Sequence, residues 1–342
     1  MTQILIFVIM FATIVVVHEW GHFIAAKKMD VQVNEFAIGM GPKLWSKQKG
    51  ETLYTLRLLP IGGFCAMEGE NEESTNERAL CAKSPAQRMI IFVAGAFMNF
   101  ILTWVLLSLF ISYQGYNTNV VSSLLENSPI AQAGVQPGET IVSINGVQVE
   151  TQQEILEQVT TPDIPYSVVI QAIDGQTRTL QIVAAAREGG GAALGFYPTT
   201  QRLGIISSIG TGLTGTFQMI GDVFSGFANI ITGMVGVDEL AGIVGVTQVT
   251  TEVWENSVDY SLMYAIMNMV YITAVLSANL AVLNLIPFPA LDGGRILFTF
   301  IELVRGKPLD QNKEGFIHFV GFALLMVLMV VVLYNDIVRL MA

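Results

Sequence analysis

The apolar positions of this chain gather into long runs. Three runs reach the length of about 20 residues that a membrane-spanning helix needs. They are Ile4 to Ala26, Met89 to Ser112 and roughly Phe316 to Leu333. A fourth run, about Leu262 to Ile286, ends at the helix-breaking Pro287-Phe288-Pro289. The pattern predicts a polytopic α-helical membrane protein with four transmembrane helices.

The first run lacks the form of a cleavable signal peptide. No Lys or Arg precedes it, and its apolar stretch is longer than the hydrophobic region of such a peptide. It also contains His18, Glu19 and His22. Ionisable residues inside a spanning segment are energetically unfavourable and are usually functional. We therefore expect this run to be retained as a helix that carries chemistry.

A polar insert, about residues 117–200, separates the second run from the later ones. Short β-rich stretches at Thr140–Ile144 and Tyr166–Ile170 are followed by turn signals, and Thr151 to Val159 has helical spacing. The turn signals are Asn145-Gly146 and Asp174-Gly175. The insert therefore reads as a small α+β domain.

The segment from Ser128 to Gly146 resembles a PDZ domain, and the likeness covers most of the insert. The resemblance implies recognition of extended peptide by strand addition in a groove. The alternative is a structural spacer on the outer face of the membrane. The Gly-rich apolar stretch that follows, within residues 203–260, is predicted to lie along the outer surface, and residues 212–235 are predicted not to cross the membrane.

Composition agrees with a membrane protein. The chain is 52% hydrophobic and 13% charged, whereas soluble domains carry about 25% charged residues. Its formal net charge of −11 argues against a nucleic-acid partner. Cys65 and Cys81 are the only cysteines. They form no metal-binding or disulfide pattern, so both are expected to be reduced thiols without a role.

The basic residues predict the orientation. Most lie either between the first two spans or between the last two, and few lie in the long insert. These two groups are Lys27, Lys28, Lys43, Lys47, Lys49, Arg57, Arg78, Lys83 and Arg88, and then Arg295, Arg305, Lys307 and Lys313. By the positive-inside rule, residues 27–88 and 295–313 face the cytosol, while the insert faces outward.

The cytosolic loop after the first span has strand character. Glu51 to Leu58 is β-rich, and Leu59 to Met67 is unusually apolar for such a loop. A hairpin here could bind a substrate backbone along a free edge, or it could enter the lipid only to pack. The sequence leaves both interpretations open.

The candidate chemistry begins with His18-Glu19-Trp20-Gly21-His22, an H-E-x-x-H motif on a helix. Residues four apart share a helix face, so both imidazoles can reach one zinc ion, and Glu19 can accept a proton from the attacking water. A buried histidine pair with Glu19 as its partner is the structural alternative. The motif predicts a zinc-dependent hydrolase.

Catalytic zinc takes a third protein ligand. The remaining histidine, His318, begins the last span, and we expect it to be structural or interfacial. A carboxylate is then the natural candidate, and Asp292 follows the proline-broken end of the fourth span. Irregular backbone at membrane depth is tolerated where it lines a cavity, and Gly293 and Gly294 allow close approach. Asp292 is therefore the predicted third ligand.

These motifs together resemble the site-2 protease family of intramembrane metalloproteases. The resemblance rests on His18 to His22, Asn284-Leu-Ile-Pro287 and Leu291-Asp-Gly-Gly294. The single PDZ-like insert resembles that of the bacterial regulator-of-sigma-E protease branch. The resemblance implies zinc bound by His18, His22 and Asp292. It further implies that Glu19 is the general base, that Asn284 contacts substrate or the oxyanion, and that the hairpin near Gly62 and Gly63 holds substrate as an added strand.

The family likeness also implies a function and a location. The expected protein cleaves transmembrane segments of single-span proteins in the bacterial cytoplasmic membrane, such as anti-sigma factors or signal-peptide remnants. Its predicted parts are an N-terminal membrane region (1–113), the PDZ-like domain (117–200), the outer Gly-rich segment (203–260) and a C-terminal membrane region (261–342). The PDZ-like domain is expected to bind peptide termini exposed by a prior cleavage. Rival interpretations are a catalytically silent PDZ adaptor and a zinc transporter.

Overall fold

A computed structural model describes residues 2–70, 74–187, 191–234, 236 and 242–341. Part of the predicted outer segment, residues 235 and 237–241, lies outside this set. The chain folds as two compact units, one formed by the chain up to Phe110 and from Ile209 onward, the other by Ile111–Ser208. Each unit has a core of its own.

The N-terminal part of the first unit consists of two long helices around a β-hairpin. Helix α1 (Thr2–Lys28) leads into β1 (Val33–Lys49) and β2 (Thr52–Met67), and helix α2 (Pro85–Gln114) follows a 3-10 turn at Leu80–Ala82. Apolar side chains from α1, the hairpin and α2 form one buried cluster. It contains Ala25, Ala26, Val31, Val33, Phe36, Cys65, Met67, Leu80, Ile91 and Phe92. The hairpin is therefore anchored to the helices on both sides of it.

The hairpin folds back on itself into a sheet of four segments. Ile38 pairs with Gly63 on one side and with Leu56 on the other, and Leu56 pairs in turn with Trp45. The segment order is accordingly 45–49, 52–56, 33–38, 63–67. Within the described residues, the segment from Gly63 to Met67 has a strand on one side only, so its other backbone edge is open.

The second unit is an antiparallel sheet with two short helices. Its elements are β3 (Tyr116–Leu124), α3 (Pro129–Gln132), β4 (Thr140–Ile144), β5 (Val147–Gln148), α4 (Gln152–Gln158), β6 (Pro165–Gln171), β7 (Thr177–Val183), β8 (Ala185–Ala186), β9 (Ala192–Ala193) and β10 (Phe196–Gln201). The sheet order is β10-β3-β4-β6-β7, with β5 on β4 and with β8 and β9 paired apart. The predicted strands at 140–144 and 166–170 and the predicted helix at 151–159 are all present. Thr151 starts α4 with a capping box to Glu154.

The rest of the first unit is helical. It comprises α5 (Ile205–Ile231), α6 (Ile243–Val258), α7 (Leu262–Leu285), α8 (Asp292–Arg305) and α9 (Gln311–Met341). Four helices of the described chain are long and apolar enough to cross a membrane: Leu5–Lys28, Pro85–Gln114, Leu262–Leu285 and Lys313–Arg339. They coincide with the four predicted spans. Helix α5 packs on α2, where Trp104 donates a hydrogen bond to the carbonyl of Ile209 at 2.9 Å.

Candidate metal centre

The histidine pair lies on the buried face of α1. His18 and His22 are both 6% exposed, and their Nε2 atoms lie 3.2 Å apart. Four-residue spacing places the two side chains one above the other on the same face. The helical motif therefore converges two imidazole nitrogens on one point, as the spacing predicts.

Asp292 reaches this point from the first turn of α8. Its Oδ2 lies 3.1 Å from Nε2 of His18 and 3.2 Å from Nε2 of His22. The sharp turn that brings it there depends on small residues, because a Cβ on Gly293 would lie 2.1 Å from the carbonyl oxygen of Ile286. The turn after α7 therefore brings the carboxylate to the histidines.

The three donors have the chemistry and spacing of a metal site. Two imidazole nitrogens and one carboxylate oxygen, from His18, His22 and Asp292, lie within 4.8 Å of one another. Tetrahedral zinc with ligands at about 2.0–2.2 Å separates them by about 3.3–3.6 Å, slightly more than the 3.1–3.2 Å observed. Oδ2 of Asp292 is buried and receives no hydrogen bond from the described residues. These residues fit a zinc ion.

Neighbouring groups set the tautomers of the histidines. Nδ1 of His22 lies 2.8 Å from the carbonyl oxygen of Ile91, which can only accept, so Nδ1 carries the hydrogen and Nε2 keeps its lone pair. Nδ1 of His18 lies 3.4 Å from the side-chain amide of the buried Asn99. The amide atom placed there is Nδ2, while Oδ1 of Asn99 has no hydrogen-bond partner among the described residues. Exchanging the two amide atoms would direct Oδ1 to the Nδ1–H of His18 and leave its Nε2 free in the same way.

Glu19 and Asn284 line the same cavity as the three donors. The cavity has a volume of about 500 Å³, and its wall also includes Val15, Leu280 and Leu291. Nδ2 of Asn284 lies 3.4 Å from Nε2 of His18. An acidic and an amide side chain thus face the space beside the donors, where a reacting group can be placed.

The open edge of the hairpin borders this cavity. Phe64, Cys65, Ala66 and Met67 belong to its wall. A Cβ on Gly63 would lie 3.5 Å from Cγ of Glu19, so this edge passes directly beside the acidic side chain. Gly62 has a φ of +87°, a conformation that favours glycine. Gly63 therefore lies beside Glu19, whereas a Cβ on Gly62 would meet the side chain of Met40 at 2.9 Å.

A half-buried ion pair closes another side of the cavity. Arg295, one turn after Asp292, donates from Nη1 to Oε1 of Glu70 and lies over the ring of Phe92 at 5.7 Å. Glu70 also accepts a hydrogen bond from the backbone N–H of Met67 at 3.2 Å. The pair therefore joins α8 to the end of the hairpin.

The sequence pattern missed several residues at the site. Asn99, Glu70 and Arg295 contact the donors or the cavity wall, yet none belongs to a motif that the spacing singled out. In the sequence, Arg295 contributes only to the basic residues that predict the orientation of the chain. Asn99 lies four residues after Gly95 in the second span, and a polar residue at that depth was the available signal.

Comparison with known proteins places the chain in a family. The sequence profile of peptidase family M50 matches residues 6–328. The zinc metalloprotease RasP of Geobacillus kaustophilus is 31% identical, with 98% of this chain and 97% of that protein aligned. The regulator of sigma-W protease RasP of Bacillus subtilis is also 31% identical, with 98% of each chain aligned.

One solved structure shows a weak likeness to part of the chain. The PDZ domain of the SdrC-like protein from Listeria monocytogenes shares 18% identity and a TM-score of 0.21, covering 25% of this chain and 86% of that one. A likeness this weak carries no argument. The profile match covers most of the chain and confirms the predicted family: the chain belongs to peptidase family M50.

Proposed function

We propose that this member of peptidase family M50 is a zinc metalloendopeptidase that cleaves peptide bonds within transmembrane segments of single-span membrane proteins. His18, His22 and Asp292 would hold the zinc ion. The observation that carries the proposal is the convergence of these three donors within 4.8 Å beside an acidic residue. Two of them lie in a helix long and apolar enough to cross the membrane.

The chain's own residues divide the hydrolytic work. When bound, zinc would lower the pKa of a water molecule toward neutrality and polarise a carbonyl group. Glu19 accepts a proton from the attacking water and returns it to the leaving amine, so that peptide plus water become a carboxylic acid and an amine. The amide of Asn284 donates to the developing oxyanion or to the substrate backbone.

The hairpin edge supplies a place for the substrate. A transmembrane helix must unwind before its peptide bonds can be attacked, and unwound backbone in an apolar environment needs hydrogen-bond partners. The open edge of Gly63 to Met67 offers such partners beside Glu19, and it would bind the substrate as an added strand. Gly62 and Gly63 are accordingly assigned to substrate binding.

The second unit is proposed to act as a PDZ-like recognition domain outside the membrane. It would bind peptide termini exposed by a prior cleavage or exclude bulky substrates, while the active site faces the cytosolic side of the bacterial cytoplasmic membrane. Since a Bacillus subtilis relative is named a regulator of sigma-W, anti-sigma factors are suitable candidate substrates. Deletion of residues 117–200 should preserve zinc binding but change the set of cleaved substrates. An unchanged set would favour a spacer.

Metal analysis combined with cleavage of a reporter transmembrane substrate tests the function. The purified wild type should hold zinc and cut the reporter, whereas Asp292→Asn should lose most of its zinc and its activity. Asp259→Asn, at an exposed position after α6, is the matched control and should behave as wild type. A wild type without zinc and without cleavage would favour a silent adaptor instead.

A further inference from the structure

We infer that His318, on the last membrane helix, is a positioning residue that holds the turn delivering Asp292 to the metal site. This inference rests on the proposed function of that site. The sequence suggested only a structural or interfacial role for His318. In the folded chain its imidazole accepts a hydrogen bond from the backbone just before Asp292.

The central contact is a hydrogen bond from the turn to the imidazole. The backbone N–H of Ala290, two residues before Asp292, donates to Nδ1 of His318 at 2.8 Å. Ala290 has a φ of +82°, in a region that residues with a side chain rarely adopt. Such a conformation persists only where its surroundings hold it. His318 is one of the groups that hold it.

A second contact lies one turn further along the same face of α9. A Cβ on Gly321 would lie 2.4 Å from the carbonyl oxygen of Pro289, so the helix approaches the turn at backbone distance. Residues three apart on a helix are neighbours on one surface. His318 and Gly321 therefore contact consecutive residues of the turn, Ala290 and Pro289.

The imidazole itself is fixed by packing. Its ring lies edge-on to that of Phe298 in α8, with 5.4 Å between centroids, and the side chain is 18% exposed. Since Nδ1 accepts the hydrogen bond from Ala290, Nε2 carries the hydrogen, and it lies 3.8 Å from Oε1 of Glu314. The ring thus connects α9, α8 and the turn.

The consequence for the metal site follows from the order of the chain. Ala290 and Asp292 are separated by Leu291 alone, so a change at Ala290 alters the direction in which the carboxylate enters the site. Loss of a group that orients a metal ligand typically lowers metal affinity by about 10–100-fold. Loss of the His318 hydrogen bond should therefore weaken zinc binding, although His318 does not reach the donors.

Substitutions can separate the hydrogen bond from simple packing. In His318→Asn the amide oxygen takes a position close to that of Nδ1 and can accept from Ala290. In His318→Gln the longer side chain places its oxygen near the position of Nε2, away from that N–H. His318→Leu fills part of the space without any acceptor. Phe319→Leu, at the adjacent residue that is 66% exposed, is the matched control.

The test is zinc affinity of the purified full-length protein, measured by competition with a chelator, together with kcat and KM on a reporter transmembrane substrate. His318→Leu should bind zinc about tenfold more weakly or worse and lose kcat in proportion, with KM little changed because the hairpin edge is untouched. His318→Asn should recover most of both, His318→Gln should not, and Phe319→Leu should match wild type.

Other outcomes contradict the inference in distinguishable ways. Wild-type affinity in His318→Leu would overturn it, and equal weakening in His318→Asn and His318→Leu would assign the effect to packing. If His318→Leu does not fold, the Asn and Gln variants decide, and equal affinities would overturn the inference. A wild type that binds no zinc would instead refute the proposed function beneath it.

Discussion

Gly95 of α2 packs directly against the imidazole of His22. A Cβ at position 95 would lie 2.3 Å from Nε2 of His22 and 2.7 Å from Cε1 of His18. No side chain larger than hydrogen fits there while the two rings keep their places. The second membrane helix therefore approaches the metal site at a position that has no side chain, and Gly95 lies next to Nε2 of His22.

Gly95→Ala should accordingly disrupt the metal site. Overpacking of a buried position costs about 1–3 kcal/mol, so the protein should still fold, but the rings must move and zinc affinity should fall by about tenfold or more. Chelator competition on the purified protein measures this. Gly221→Ala, where an added Cβ would meet nothing within 4 Å, is the control and should keep wild-type affinity. Equal affinities in all three proteins would contradict the described packing.

The parts of the site that follow local patterns could be predicted from the sequence, and the long-range contacts could not. The spacing of His18 and His22 is a property of one helix, and the four spans follow from hydropathy. Asp292 was identified because a proline break and two glycines mark a turn. Asn99 lies 81 residues from His18, and no short-range rule links two residues at that separation. Their contact depends on how α1 packs against α2.

The insert contains an ion pair with a predictable pH dependence. Arg178 donates two hydrogen bonds of 2.7 Å to the carboxylate of Glu139, which also accepts from the N–H of Gln136. Burial alone would raise the pKa of Glu139, but these hydrogen bonds outweigh it and hold the pKa below its ordinary value. The ionised carboxylate therefore stabilises the fold above the unfolded-state pKa of about 4.3.

This stabilisation should be lost as the pH falls through the lowered pKa of Glu139. The buried ring of Tyr166 can report unfolding of the sheet by urea, through fluorotyrosine labelling and ¹⁹F NMR with the signal assigned by Tyr166→Phe. Between pH 6 and about pH 3, the wild type should lose more stability than Glu139→Gln, whose side chain does not titrate. Parallel losses in the two proteins would contradict a stabilising role for the ionised form.

Asp336, near the end of α9, caps the start of another helix. Its carboxylate accepts hydrogen bonds from the N–H groups of Gly242 at 3.1 Å and Gly245 at 2.9 Å, in the first turn of α6. A carboxylate at a helix N-terminus satisfies unpaired donors and complements the helix dipole. The contact ties the last membrane helix to α6.

Asp336→Ala should therefore destabilise the protein by about 1 kcal/mol, the usual worth of such a cap. Thermal unfolding in detergent measures the loss. The stability of Asp336→Asn should lie between those of the wild type and Asp336→Ala, because its one amide oxygen can accept only part of what the carboxylate accepts. The control is Asp222→Asn on the exposed face of α5, which should unfold with the wild type. An equally large loss of thermal stability in Asp222→Asn would contradict the assignment of Asp336 as a helix cap.

The proposed topology requires that the chain between the second unit and α7 (Leu262–Leu285) does not cross the membrane. One extra crossing would put Asp292 on the opposite side of a hydrocarbon core about 30 Å thick from the histidines it contacts at 3.1 and 3.2 Å. Thr200→Cys and Asp259→Cys, in a protein lacking Cys65 and Cys81, should both react with a membrane-impermeant thiol reagent from outside. Labelling of the first with protection of the second until the cells are opened would contradict this arrangement.

The role of Glu19 is the most direct test of the central claim that this is a zinc-dependent protease. Zinc content and cleavage of a reporter transmembrane substrate should be measured on the same preparations of the wild type and Glu19→Gln. Because the donors are untouched, Glu19→Gln should retain as much zinc as the wild type, while its cleavage rate falls by about 10²–10⁴-fold. Near-normal cleavage by Glu19→Gln, or a wild type that holds no zinc, would contradict the account.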